Sequence, residues 1–174
     1  MTEQMADEAK YADWLVRREV SIDIVASPDV VFDLVSEVTR IGEWSPECHG
    51  ADWQGDQRGL GARFTGHNRS GRNRWSRVCE VVDYEPSREF AYRTVPGFRF
   101  GPSADSSVWR FSIVPTDNGS RVTQSLEPVK LPQAWFRPFI RRFMAQHLDM
   151  RDQMRVTLTA LKATAEATPG PEPQ

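Results

Sequence analysis

The stretch that most constrains the fold is the C-terminal run from Leu131 to Ala167. Its apolar residues Phe136, Ile140, Phe143, Met150, Met154, Leu158 and Leu161 recur in steps of three, four and seven. That spacing puts them on one stripe of an α-helix. Trp135 and Phe139 widen the stripe at its start, while Arg142, Gln146, Asp149 and Lys162 fall away from it. Pro132 suits the opening of a helix, whereas Pro138 inside one removes a hydrogen bond. The pattern predicts a leading turn, a kink or restart at Pro138, and then a straight helix to about Glu166. His147 is the one polar residue in the middle of the oily face. Such a helix needs a large concave partner.

The preceding chain supplies one. Val20, Ile22 and Ile24 alternate along Arg18–Val25 as in a half-buried strand. Ser27-Pro28-Asp29 then reads as a helix start: a capping hydroxyl, proline at the first helical position, and an acid in the first turn. Val31, Phe32, Val35 and Val38 form its apolar side. A second short helix over Thr39–Glu43 closes at Trp44-Ser45-Pro46, because a residue before proline avoids helical geometry.

From residue 47 to 129 the signals are strands and turns. Strands are predicted over Glu47–Trp53, Ala62–Asn68, Arg74–Asp83, Glu89–Val95, Ser107–Val114 and Arg121–Pro128. Gly59-Leu60-Gly61, Ser70-Gly71, Pro86-Ser87, Pro96-Gly97 and Asp117-Asn118-Gly119 separate them with turn chemistry. Links this short join neighbouring strands antiparallel. The expected fold is α+β: a curved antiparallel sheet of about seven strands wrapped around a long C-terminal helix, with two short helices after the first strand. Residues 1–17 are expected to form an N-terminal arm, 18–167 a single folded domain, and 168–174, with three prolines, a disordered tail.

Several function classes recede on composition. A net charge of −2 argues against global attraction to nucleic acid or anionic membranes. There is no run of apolar residues long enough for a membrane span, and the acidic start is not a secretory signal. Cys48 and Cys79 lack metal or redox spacing, so they read as free thiols of a cytoplasmic protein. His49, His67 and His147 lack paired ligand spacing, and neither a metal nor a cofactor is expected. The sequence also lacks a nucleophile elbow, a phosphate loop and a dinucleotide fingerprint.

The residues Ala26-Ser27-Pro28-Asp29-Val30-Val31-Phe32, Gly42-Glu43-Trp44-Ser45-Pro46-Glu47 and Asn118-Gly119-Ser120-Arg121-Val122, with the long terminal helix, resemble the helix-grip (START-like, Bet v 1-like, SRPBCC) superfamily. Within it the chain is most similar to bacterial polyketide cyclase/dehydrase proteins, over about residues 18–166. The resemblance implies a deep cavity between sheet and helix for an apolar or aromatic small molecule. Its members range from cyclases to lipid carriers.

Alternation groups the inward side chains. Phe64, Gly66 and Asn68 share a face, as do Trp75, Cys79 and Val81. Phe90 goes with Tyr92, Trp109 with Phe111, and Val122 with Gln124 and Leu126. Six tryptophans point to a wide aromatic interior. With Trp44 at the mouth and Phe143, His147 and Met150 from the helix, these are the candidate ligand-binding residues. The first functional expectation is binding of a hydrophobic small molecule such as a lipid or polyketide. The second is a cyclase or dehydrase in which His147 moves a proton, with Asn68, Tyr92 and Gln124 as polar companions. The third rests on Arg58, Arg63, Arg69, Arg72, Arg74 and Arg77, a span with no acid, meeting a nucleic acid or acidic partner. A solvated hairpin face explains the same charges, and nucleic acid is the less favoured partner. His147 likewise reads as a core histidine bonded to a strand side chain.

Overall fold

Alternating burial forces the strands into one sheet whose two faces meet different surroundings. The computed structural model describes residues 16–95, 106–130, 135, 138–139, 142 and 149–168. Its strands are β1 (Arg18–Ile24), β2 (Cys48–Gln54), β3 (Arg63–Ser70), β4 (Asn73–Glu85), β5 (Glu89–Thr94), β6 (Ser106–Thr116) and β7 (Gly119–Lys130). They form a single 7-stranded antiparallel sheet in the order β1-β7-β6-β5-β4-β3-β2. Register shifts at Cys48/Gly50, Val81/Asp83 and Ser106/Ser107 interrupt the ladders. Such bulges bend the strands that carry them and curve the sheet.

Between β1 and β2 the chain crosses one end of the sheet's concave face. α1 (Pro28–Ser36) opens as the sequence predicts, with Ser27 Oγ accepting from the Val30 N–H at 3.4 Å and Pro28 in the first turn. It buries Val30, Val31, Phe32, Leu34 and Val35, and the Phe32 ring meets Tyr84 edge-on at 5.0 Å. The second short helix is a 3-10 turn, Val38–Glu43. At Gly42 the turn lies so close to β2 that a Cβ would clash with the His49 carbonyl. Any side chain at this position pushes the turn off the sheet. Gly119 plays a similar part in the β6–β7 turn, with φ of +145° and no room beside the Ile24 carbonyl.

α2 (Arg151–Ala167) lies against the concave face and buries Met154, Thr157, Leu158, Leu161 and Ala165. Each fully buried Leu or Met contributes roughly 1.5–3 kcal/mol. Its far end is clamped to the exit of β1: Lys162 Nζ donates to the Asp23 carbonyl at 2.6 Å, and the Glu166 carboxylate accepts from the Val25 N–H at 2.8 Å. The start differs from the expected straight helix. Pro138, Phe139 and Arg142 are helical, but Asp149 and Met150 are not. The Asp149 carboxylate accepts from the Arg151 backbone N–H at 3.2 Å and from Arg151 Nε at 2.9 Å, which ties the non-helical Asp149 to the first residue of α2. Much of the stretch before it, including Phe143 and His147, lies outside the described residues, as do most of the N-terminal arm and residues 169–174.

Candidate functional site

Because strand side chains alternate, the inward positions on β3 to β7 share the concave side with α1 and α2. Near the β4–β5 and β6–β7 turns the space is filled by α1. Towards the other end it stays open as a cavity of about 240 Å³. Its sheet wall holds Phe64, Gly66 and Asn68 from β3, and Trp75, Arg77 and Cys79 from β4. Tyr92 and Thr94 of β5, Ser107, Trp109 and Phe111 of β6, and Gln124 and Leu126 of β7 extend it. Met150, Gln153, Met154 and Thr157 face them from the helical side, and Ile41 to Cys48 border it with Ile41, Trp44, Ser45, Pro46, Glu47 and Cys48. Pro46 is exposed, which puts the mouth beside the turn that follows the 3-10 helix. Edge-on contacts of Phe64 with Tyr92 at 5.2 Å and with Trp53 at 5.7 Å stiffen the aromatic wall.

Two polar side chains lie deep in this wall. Gln124 is only 4% exposed, and its Oε1 has no hydrogen-bond partner among the described residues. A buried amide oxygen in that state costs about 1–3 kcal/mol until a donor meets it. Arg77 brings a guanidinium whose Nη1 is shut off from solvent. The two thiols and the phenol of the wall are held in their neutral forms. Burial pushes the Cys79 thiol up to about 12 and raises Cys48 as well. It also raises the Tyr92 phenol well above its usual value. At neutral pH none of the three is a ready base or nucleophile.

Of the residues predicted from sequence, Trp44, Phe64, Asn68, Trp75, Cys79, Tyr92, Trp109, Phe111, Gln124 and Met150 line this one cavity. Phe90 does not. It is wholly buried at the filled end, with ring contacts to Tyr84 at 6.3 Å and Tyr92 at 6.0 Å, because α1 occupies the space in front of it. Trp44, expected at the mouth, borders the cavity yet is 3% exposed, so it is also part of the packed core. Arg77 was missed. It had been grouped with a solvated hairpin, although it stands two residues from both Trp75 and Cys79 and so shares their inward face. His67 faces the convex side, where Nε2 meets Asp52 at 2.8 Å and Nδ1 meets Ser76 at 3.1 Å. Among the described residues no group of three His, Cys, Asp or Glu side chains is placed to hold a metal ion, and no helix is long and apolar enough to cross a membrane.

A family model described as polyketide cyclase / dehydrase and lipid transport matches residues 16–166. The chain belongs to this family. It is therefore an SRPBCC protein, and its sheet, short helices and terminal helix are the Bet v 1-like helix grip. Solved structures share the fold at low identity. One is the di-domain ARO/CYC StfQ from the steffimycin biosynthetic pathway, with a TM-score of 0.67 and 14% identity over 91% of this chain and 53% of that one. Another is the major latex-like protein 151 of Panax ginseng, with a TM-score of 0.59 and 16% identity over 86% and 97% of the two chains. A third is protein MLL2253 from Mesorhizobium loti, with a TM-score of 0.60 and 18% identity over 88% and 99%. No curated protein matches the sequence.

Proposed function

We propose that this family member binds a hydrophobic small molecule, of the lipid or polyketide class, between its sheet and C-terminal helix. The observation that carries the reading is the cavity of about 240 Å³, whose aromatic wall encloses a buried amide oxygen lacking a donor among the described residues. A space that the chain's own side chains leave unfilled forfeits packing at roughly 24 cal/mol per Å³. A ligand with an apolar body recovers those contacts. Its hydroxyl or N–H would donate to Gln124 Oε1, while Arg77 suits a carbonyl or enolate oxygen. Aromatic walls with a few placed polar groups are the usual make-up of small-molecule sites.

Binding is favoured over catalysis by the state of the wall, since Cys48, Cys79 and Tyr92 are kept neutral by burial. The family description leaves a cyclase or dehydrase activity as the second reading, and it turns on His147. The test is denaturing extraction of the purified protein followed by mass spectrometry, then titration of stripped protein with the compound recovered. The expected result is an apolar compound that quenches tryptophan fluorescence and binds more weakly to Gln124→Leu. Recovery of nothing, together with no change in fluorescence or melting temperature across a panel of lipids and aromatic polyketides, sinks the reading. Turnover of a poly-β-ketone that His147→Ala abolishes would replace it with the enzyme.

A further inference from the structure

The cavity makes use of only part of the arginine-rich span. Arg58 stacks on Trp53 at 4.8 Å, Arg63 pairs with Glu80 at 2.8 Å, and Arg77 lies in the cavity wall. Arg69, Arg72 and Arg74 are left at the tip of the β3–β4 hairpin, all exposed and with no carboxylate partner among the described residues. Arg69 and Arg74 stand directly opposite each other in the ladder. Like charges so placed repel and weaken the hairpin. An external anion relieves that repulsion.

Position narrows the kind of anion. The hairpin tip closes the sheet at the end where the cavity has its mouth, since Asn68 and Trp75 form both a cross-strand pair and part of the cavity wall. β5 ends, β6 begins and β7 ends at this same end. Val129 is 58% exposed there. Trp135 and Phe139, 68% and 47% exposed, belong to the segment that leaves β7 from this end. Even fully extended, the chain from Lys130 to Trp135 reaches only about 17 Å. The arginine tip and the exposed Val129 thus lie at the end of the sheet that carries the opening, with Trp135 tethered within that reach of β7.

We propose that this end of the molecule docks on an anionic lipid surface, with Arg69, Arg72 and Arg74 on headgroup phosphates and Val129, Trp135 and Phe139 in the interfacial layer, so that the cavity mouth faces the membrane. Guanidinium groups bind phosphate oxygens in pairs, and aromatic side chains settle at the headgroup boundary. Single-stranded nucleic acid fits the hairpin less well, because it calls for aromatic rings interleaved with the cations on which bases stack. The aromatic residues of this hairpin, Phe64 and Trp75, point into the cavity instead. The overall charge of −2 gives no global attraction, so a local patch orients the encounter.

Docking is measured without any cavity ligand, so its failure leaves the cavity reading standing, and the reverse holds as well. The experiment is co-sedimentation with vesicles of phosphatidylcholine, alone or mixed with phosphatidylglycerol. The protein should pellet with the mixed vesicles only and be released as sodium chloride is raised. Arg69→Gln, Arg72→Gln and Arg74→Gln together should weaken partitioning roughly 100-fold, at about five-fold for each arginine near an anionic surface. Trp135→Ser with Phe139→Ser should weaken it while leaving the salt dependence intact. Arg88→Gln, in the β4–β5 turn at the opposite end, should leave it unchanged. The proposal is overturned if the natural protein stays in the supernatant with both vesicle types, or if the triple variant pellets like the natural protein. A charge-dependent loss seen on single-stranded DNA but not on vesicles also overturns it and assigns the hairpin to nucleic acid.

Discussion

The two ends of the concave groove are built from the same alternating strands, yet one is solid and the other hollow. At the end bearing the β4–β5 and β6–β7 turns, Phe90 and Tyr84 meet Phe32 and its neighbours from α1. At the other end, Tyr92, Trp109 and Gln124 are in equivalent inward positions, but the elements opposite them leave space. Phe90 and Tyr92 are two residues apart on one strand and one face, and they serve different ends. An inward direction therefore does not make a binding residue. What lies across the groove does.

The largest effects should come from breaking the solid end. Phe90→Ala should cost roughly 3–5 kcal/mol in chemical denaturation, because no neighbour can collapse into the space. Ligand affinity of the folded fraction should stay within a few-fold. Trp44→Ala tests the boundary between the ends. Its burial predicts a loss in the same range of roughly 3–5 kcal/mol, accompanied here by altered ligand affinity because the ring borders the cavity. A large loss of stability with unchanged binding would assign Trp44 to the solid end alone.

At the hollow end, Gln124→Leu should be neutral or stabilising by about 1 kcal/mol, since it removes a buried acceptor that lacks a donor among the described residues. The same change should weaken a hydroxyl-bearing ligand more than a pure hydrocarbon, as read by fluorescence titration. The alkaline limb of stability sharpens the contrast further. The folded Cys79 thiol titrates near 12, above its ordinary value near 9, so the folded state favours the protonated form. Its contribution is fully present below about pH 9 and is lost as pH rises towards about 12. Tyr92, raised in the same direction by burial, adds to the loss. Cys79→Ala should flatten that limb in pH-dependent melting, and an unchanged limb would show that the thiol carries none of it.

The smallest effect belongs to the start of α2. Arg151 holds the exposed Asp149 carboxylate down to about 2, so its contribution is present above the ordinary value near 4 and fades as pH falls through about 2. Asp149→Asn should remove this acid dependence and lower the melting temperature slightly at neutral pH, since the exposed pair contributes little there.

The strand and helix boundaries were largely legible in the sequence. Val20, Ile22 and Ile24 announced β1 by alternation, Ser27-Pro28 announced α1 by its capping chemistry, and the predicted turns among the described residues fell between paired strands. Such signals are local: a side-chain period or a cap involves residues within one or two turns of each other. The sequence also determined the inward faces, and through them most of the cavity wall. It even contained Arg77, whose two-residue spacing from Trp75 and Cys79 outweighs the charge that suggests solvent.

Only the tertiary structure decided which inward residues meet a helix and which meet space. Phe90 and Tyr92 carry the same local signal, but the α1 end of the groove is filled in front of Phe90 while Tyr92 faces the cavity. It also decided where the last helix begins, because Asp149 and Arg151 close on each other at a point the apolar spacing runs straight through. And it divided one run of arginines among a ring, a carboxylate, a cavity wall and an exposed tip. Packing and charge pairing act between residues far apart in the chain. No period in the sequence encodes the distance between them.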